Sequence, residues 1–259
     1  MSLQVKALCF SYGTHEVLRK IDFEAKYGEF LSVLGANGVG KSTLFRCILG
    51  LLMPSSGKAL IDGTDISELS ASQLAQKIAY IPQSHNPVFN YNVFDMVLMG
   101  TTAQTGKFST PGKKQTEAVE NALSRLGISH LADRGYANLS GGERQLVLIA
   151  RAIAQRAKIL LMDEPSSSLD FGNRLRVMQT VRGLTQEGYC VVQSTHDPEQ
   201  AYLYSDKILA MHDGSVIACG KPKDIFDADL ISKLYGVEVE VCKIQNDAMR
   251  VCIPKGVLF

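Results

Sequence analysis

The sequence predicts an α/β fold built from a core of buried strands, an antiparallel β region at its opening and a helical insertion. Three observations predict it. An apolar run, F-L-S-V-L at residues 30–34, feeds a glycine loop, G-A-N-G-V-G-K-S-T at residues 35–43, which opens a helix. A second apolar run, I-L-L-M at residues 159–162, ends in two adjacent carboxylates, Asp163 and Glu164. From residue 84 to about residue 158 the texture turns from strand-like to helical.

The chain has 259 residues, enough for one large domain or for a domain carrying a substantial insertion. Its 27 basic and 26 acidic residues nearly cancel, which counts against a nucleic-acid footprint and so against a helicase or repair motor. Six cysteines, Cys9, Cys47, Cys190, Cys219, Cys242 and Cys252, lie among apolar neighbours with no C-x-x-C pair. They are expected to be reduced core thiols of a cytosolic chain rather than zinc ligands. The first ten residues lack a basic region followed by an apolar one, and no apolar run approaches the roughly 20 residues that span a bilayer. The expectation is a chain that neither crosses a membrane nor leaves the cytoplasm unaided.

Residues 3–10 and 17–25 read as strands, with Ser11, Tyr12 and Gly13 as a turn between them. Tyr12 is placed either to pack in that turn or to stack on an adenine, and its position alone leaves both open. Next comes the glycine loop. Gly35, Gly38 and Gly40 let the backbone bend so that successive N–H groups, including those around Asn37, surround phosphates. Lys41 supplies a compact positive charge for the β- and γ-phosphates, and Ser42 a hydroxyl for Mg²⁺. Thr43 continues into a helix over residues 41–49 whose positive end points at the same anion. The full G-x-x-x-x-G-K-[ST] spacing in a strand-loop-helix context predicts a nucleotide-binding P-loop, and with it a P-loop NTPase core. A turn at residues 54–57 and a short strand at 58–63 complete an antiparallel β region around that loop.

A buried strand is expected at residues 78–83, ended by Pro82. Helices are expected at 93–99 and 116–126, with a surface loop over 101–114. In the second helix Val119, Ala122, Leu123 and Leu126 share one face, and Gly127 caps its end. A further helix starts at L-S-G-G-E-R-Q, residues 139–145, where Ser140 and Glu143 have capping-box spacing. Gly141 and Gly142 each cost about 1 kcal/mol against alanine inside a helix. No local requirement for them is visible, so they are expected to bare backbone N–H groups for a second anion contact.

Asp163 and Glu164 end the strand after Lys158. Ligands of open α/β sheets lie at the carboxyl ends of strands, so Asp163 is expected to hold Mg²⁺ and Glu164 to polarise an attacking water. Residues 166–170 lead into a helix that Gly188 stops. A strand at 189–194 follows, and His196 lies just past its carboxyl end, where it could donate to a γ-phosphate. Residues 207–212 and 215–219 form a hairpin about Asp213 and Gly214. Beyond residue 220 a small α/β tail ends in a second hairpin, and no chemistry is visible in it.

Together these residues closely resemble the ATP-binding subunit of an ATP-binding cassette (ABC) transporter. The resemblance covers residues 3–220, the expected ABC ATPase domain with its insertion at 84–158, and leaves 221–259 as an extension. L-S-G-G-E-R-Q is the most specific string, the family signature. The resemblance implies that Tyr12 stacks on adenine, that Gln83 is the Q-loop glutamine and a Mg²⁺ ligand beside Ser42 and Asp163, that Glu164 is the catalytic glutamate, that Asp170 ends the D-loop, and that His196 is the switch histidine. It further implies ATP with Mg²⁺, and a head-to-tail homodimer in which each ATP lies between one chain's P-loop and the other's Ser140, Gly141 and Gly142. Membrane permease subunits would dock near Gln83 and the insertion, a solute-binding protein would act indirectly, and the chain would lie at the cytoplasmic face of a bacterial inner membrane.

Within the family the chain is most similar to importers of iron chelates, haem and cobalamin, through N-V-F-D-M-V-L-M-G at residues 92–100 and S-T-H-D-P-E-Q-A at 194–201. Val39, Ser168 and Thr101 depart from the usual pattern without removing a catalytic group. A soluble ABC ATPase of iron–sulfur cluster assembly, or an importer of another solute, shares every ATP-site motif.

Overall fold

Alternating apolar and polar side chains near the start fold as two long antiparallel strands, β1 (Ser2–Tyr12) and β2 (His15–Lys26). The structure is a computed structural model that describes residues 2–83, 89–104 and 110–256. Strand β3 (Phe30–Leu34) is buried at every residue and runs through the glycine loop into helix α1 (Lys41–Ile48). Strands β4 (Ser56–Ile61) and β5 (Thr64–Asp65) follow. After a capping box at Ser70 and Gln73 come α2 (Ala71–Lys77) and β6 (Ile78–Ile81). Helix α3 (Val93–Leu98) leads into a 3-10 helix (Met99–Gln104), and α4 (Lys113–Arg125) and α5 (Gly141–Ala154) come next. Then follow β7 (Ile159–Asp163), α6 (Phe171–Gln186), β8 (Cys190–Thr195) and α7 (Pro198–Tyr204). The hairpin β9 (Lys207–His212) and β10 (Ser215–Gly220) precedes α8 (Pro222–Ile225), α9 (Ala228–Tyr235), β11 (Val239–Ile244) and β12 (Met249–Pro254).

Two compact units divide the chain, one formed by Met1–Glu68 with Cys190–Phe259 and the other by Leu69–Tyr189. The first contains an antiparallel sheet in the order β2-β1-β4-β5 and the strand order β10-β9-β3-β8. There β3 is parallel to β8 on one side and to β9 on the other, with Leu34 opposite both Thr195 and Ala210. Parallel strands covered on both faces are mostly apolar; β3 and β8 are buried along their whole length, and where they carry buried polar side chains Gln193 Nε2 donates to Ser32 Oγ at 2.9 Å. In the second unit β6 and β7 pair in parallel, with Ile81 opposite Met162, and α5 packs on α3 and α4.

The expected insertion, residues 84–158, falls within the second unit, where residues 84–88 lie outside those described. Two expectations are corrected. Residues 101–114 do not begin as a surface loop: Thr101 is fully buried in the 3-10 helix and donates to the Leu98 carbonyl at 2.8 Å. A Cβ on Gly100 would lie 2.2 Å from the Arg151 carbonyl oxygen, so this turn is packed tightly on α5. Of the expected loop, residues 105–109 lie outside the described ones, and α4 already begins at Lys113. Nor are all six cysteines core residues. Cys47 and Cys190 are buried, but Cys219 is exposed on the edge strand β10, and Cys242 and Cys252 are half-buried on a two-stranded hairpin. Helix α2 has no counterpart among the expected elements.

Candidate active site

The first unit carries the glycine loop and the histidine. Gly35 leaves β3 with its N–H donating to the Thr195 carbonyl at 3.2 Å, and a Cβ there would lie 2.5 Å from the Met211 carbonyl oxygen. Only glycine fits so close an approach. Gly40 has φ +103° and begins α1 without a side-chain cap, which leaves first-turn N–H groups to an anion. Lys41 is buried, and its Nζ donates to the carbonyls of Gly35 (2.7 Å) and Ala36 (3.0 Å), so the lysine is folded back into its own loop. Ser42 is exposed and Thr43 half-buried at the start of α1. Asn37, Gly38 and Val39 line a cleft of about 400 Å³ with His15 and Arg19. Tyr12 ends β1 instead of lying in a turn. It pairs with His15, is 47% exposed, and meets the Phe10 ring edge-on at 4.8 Å.

His196 follows β8 directly and is exposed. Its neighbours are fixed on both sides: the Asp197 N–H donates to Thr195 Oγ1 at 3.0 Å, and the Asp197 carboxylate caps α7 by accepting from the Gln200 N–H at 2.9 Å. The His196 carbonyl accepts from the Tyr235 hydroxyl at 2.9 Å. The hydrogen bond from Gly35 to Thr195 therefore ties the start of the glycine loop to the residue before the histidine.

The second unit carries the carboxylates. Because β6 and β7 run side by side, Gln83 comes next to Glu164, and its Nε2 donates to Glu164 Oε2 and to Ser167 Oγ, both at 3.2 Å. Glu164 has φ +45°, a left-handed conformation that costs a non-glycine residue of order 1–3 kcal/mol. Its carbonyl accepts from the Ser167 N–H at 3.2 Å and from Ser167 Oγ at 3.1 Å, which holds the turn. Asp163 is buried and accepts from the Tyr80 hydroxyl at 3.4 Å.

Asp170 caps α6, accepting from the Asn173 N–H at 2.9 Å and from Asn173 Nδ2 at 2.8 Å. These bonds hold its carboxyl below the usual range. At α5, Ser140 and Glu143 form the expected capping box, with the Ser140 N–H 2.7 Å from Glu143 Oε2. The same bonds lower the Glu143 carboxyl. A Cβ on Gly142 would lie 2.4 Å from Asn173 Cγ, 31 residues further along the chain, so packing against α6 adds a requirement for this glycine that no local pattern shows. Gly141 is looser, 3.3 Å from Leu169 Cδ2.

Three residues touching the site were not read from the sequence. Asn173 was legible in principle, since Asp170 and Asn173 have the spacing of a helix cap. Tyr80 and Tyr235 carry no local signal.

A sequence model of the family described as ABC transporter matches residues 18–167, more than half of the chain. The chain belongs to the ABC transporter family. An uncharacterized ABC transporter ATP-binding protein of Haemophilus influenzae is 40% identical over 241 residues, which are 93% of this chain and 92% of that protein. The ferric enterobactin transport ATP-binding protein FepC of Escherichia coli is 33% identical over 246 residues, 95% of this chain and 90% of that one. A solved structure described as an inward-facing conformation of a metal-chelate type ABC transporter matches with a TM-score of 0.86 at 31% identity, covering 100% of this chain and 97% of its own. As an ABC ATPase, in fold as in sequence, the chain binds and hydrolyses ATP. Among the described residues no helix is long and apolar enough to cross a membrane.

Proposed function

We propose that this ABC ATPase powers a bacterial importer for a metal chelate of the iron-siderophore, haem or cobalamin type. One observation carries the reading: ATP-binding proteins named for ferric enterobactin, cobalamin, petrobactin and hemin transport are each 33–36% identical to this chain over 93–98% of its length.

In this reading the loop N–H groups of Gly35, Asn37, Gly38 and Gly40 surround the phosphates, and Tyr12 stacks on the adenine. Lys41 exchanges its bonds to the Gly35 and Ala36 carbonyls for charge-assisted bonds to phosphate oxygens. Ser42, Asp163 and Gln83 offer a hydroxyl, a carboxylate and a side-chain amide. Such an all-oxygen donor set fits Mg²⁺, which supplies neutralisation of phosphate charge. Glu164 polarises the attacking water, Gln83 orients that carboxylate, and His196 donates to the γ-phosphate. Thr43 completes the loop.

Ser140, Gly141 and Gly142, with Asp170, serve the ATP of a second copy in a head-to-tail homodimer. ATP binding closes this dimer and hydrolysis reopens it. Permease subunits dock near Gln83 and the helical subdomain, residues 84–158 of an ATPase domain spanning 1–220, while 221–259 form an extension. The chain then works peripherally at the cytoplasmic face of the inner membrane, and a solute-binding protein acts on the far side of the permease. Nucleic acid has no part.

The test is affinity purification of tagged Glu164→Gln chain with Mg·ATP from detergent-solubilised membranes. A polytopic membrane protein recovered in two-to-two ratio supports the importer. Recovery of soluble scaffold proteins alone overturns it in favour of an iron–sulfur assembly ATPase.

A further inference from the structure

The segment after β10 showed no chemistry in sequence, yet its contacts converge on the turn that carries His196. Helix α9 ends in Tyr235, whose hydroxyl donates to the His196 carbonyl, and Gly236 stops the helix there in a left-handed conformation (φ +68°). Strand β12 reaches the helix that follows the histidine: the Cys252 N–H donates to Glu199 Oε1 at 3.1 Å. The far end of α7 is held as well. The Tyr202 hydroxyl donates to the Asp247 carbonyl at 2.9 Å, and Arg250 lies 5.3 Å from the Tyr202 ring centroid. Arg250 is itself buried, donating to Asp247 and to the carbonyls of Phe226 and Lys223.

Beneath these polar contacts Tyr202 packs with Phe226, Leu230 and Leu234 in a cluster that also contains Leu34, the residue before Gly35. The extension thus holds the stretch from His196 into α7 at three residues, His196, Glu199 and Tyr202. The histidine between β8 and α7 has its backbone tied to α9 through its carbonyl and is followed by a helix that the extension holds.

We propose that residues 221–256 form a brace for the switch histidine, with Tyr235 as a positioning residue that fixes the backbone of His196 through its hydroxyl. The proposal rests on the ATPase role given to His196 above. A side chain that must meet a developing charge loses rate when it is misplaced by even about 1 Å, whereas ground-state binding of the nucleotide does not depend on it.

Tyr235→Phe removes the hydroxyl and keeps the packing. In that variant we expect kcat for ATP hydrolysis to fall about three- to tenfold with KM for ATP within about twofold of wild type, as loss of one positioning hydrogen bond predicts. Combined with His196→Ala it should cause no further loss in single-turnover hydrolysis, because Tyr235 acts only by placing the imidazole that His196→Ala removes. Amide hydrogen exchange over residues 195–201, measured without nucleotide, should accelerate. An unchanged kcat, or losses that multiply in the double variant, would overturn the brace. Unchanged exchange over 195–201 would overturn it whatever the turnover. A wild-type chain that hydrolyses no ATP would instead sink the ATPase reading, and the exchange result would still decide whether Tyr235 holds the turn.

Discussion

Gln83 Nε2 lies 3.2 Å from Glu164 Oε2, so the residue assigned to the membrane partner's groove touches the residue assigned to water activation. The contact orients a carboxylate whose backbone is already held in a left-handed turn. Glu164→Gln keeps the size and hydrogen-bonding reach of the side chain but removes its capacity to take a proton. Turnover should fall about 10²–10⁴-fold with ATP binding intact, as loss of a positioned general base does. Phosphate release and equilibrium nucleotide binding measured on the same preparation check this, and wild-type turnover would refute the role of Glu164.

Lys41→Ala should act on binding instead. Hydrogen bonds to charged groups contribute about 1.5–3 kcal/mol each, so the affinity for ATP should fall about 10–100-fold. Titration with a fluorescent ATP analogue reads the change directly. An affinity equal to wild type would mean that Lys41 stays on the Gly35 and Ala36 carbonyls when nucleotide is bound.

Gly142→Ala sets helix propensity against packing. Alanine should gain about 1 kcal/mol inside α5, but its Cβ would lie 2.4 Å from Asn173 Cγ, and overpacking costs about 1–3 kcal/mol. The net expectation is a lower unfolding midpoint in thermal denaturation. Adding Asn173→Gly should then restore part of the loss. If Gly142→Ala raises the midpoint on its own, the contact with Asn173 is not what requires the glycine.

Legibility in the sequence follows the range of the forces involved. The glycine loop was readable because phosphate chemistry fixes residue types at fixed spacing, and β3 and β7 because buried parallel strands are mostly apolar, broken here only by Ser32 and the terminal Asp163. Helix α2 was missed although Ser70 and Gln73 form a capping box, since Leu74 is its one buried residue and no apolar period marks it. Thr101 looked like loop because threonine and glycine usually are, and only packing against Arg151 makes the turn an interior one. The partner of Tyr235 is 39 residues away along the chain, where no local pattern can announce it.

Asp247 makes the extension sensitive to acid. Its carboxyl, ordinarily titrating near 3.8, is held well below that value first of all by hydrogen bonds from Arg250. The folded chain therefore binds fewer protons at this site than the unfolded one. The stabilisation is complete above the ordinary carboxyl range and is lost as pH falls below about 4 toward the lowered value. Wild type and Asp247→Asn should differ most in unfolding midpoint near neutral pH and converge on acidification. A gap that stays constant down to the acid limit of the titration would show that the Asp247 charge is not its source.

Strand β3 has consequences for how the chain comes into being. Both strands that pair with it, β8 and β9, lie beyond the whole of the second unit, and Phe30 finds its partner only at Val191. During synthesis at about 5–20 residues per second the apolar β3 waits roughly 10–30 s for a neighbour, the situation in which exposed strands invite aggregation. Until β8 emerges, Gly35 lacks the Thr195 carbonyl that anchors the glycine loop to the sheet, so the loop takes its shape only late in synthesis.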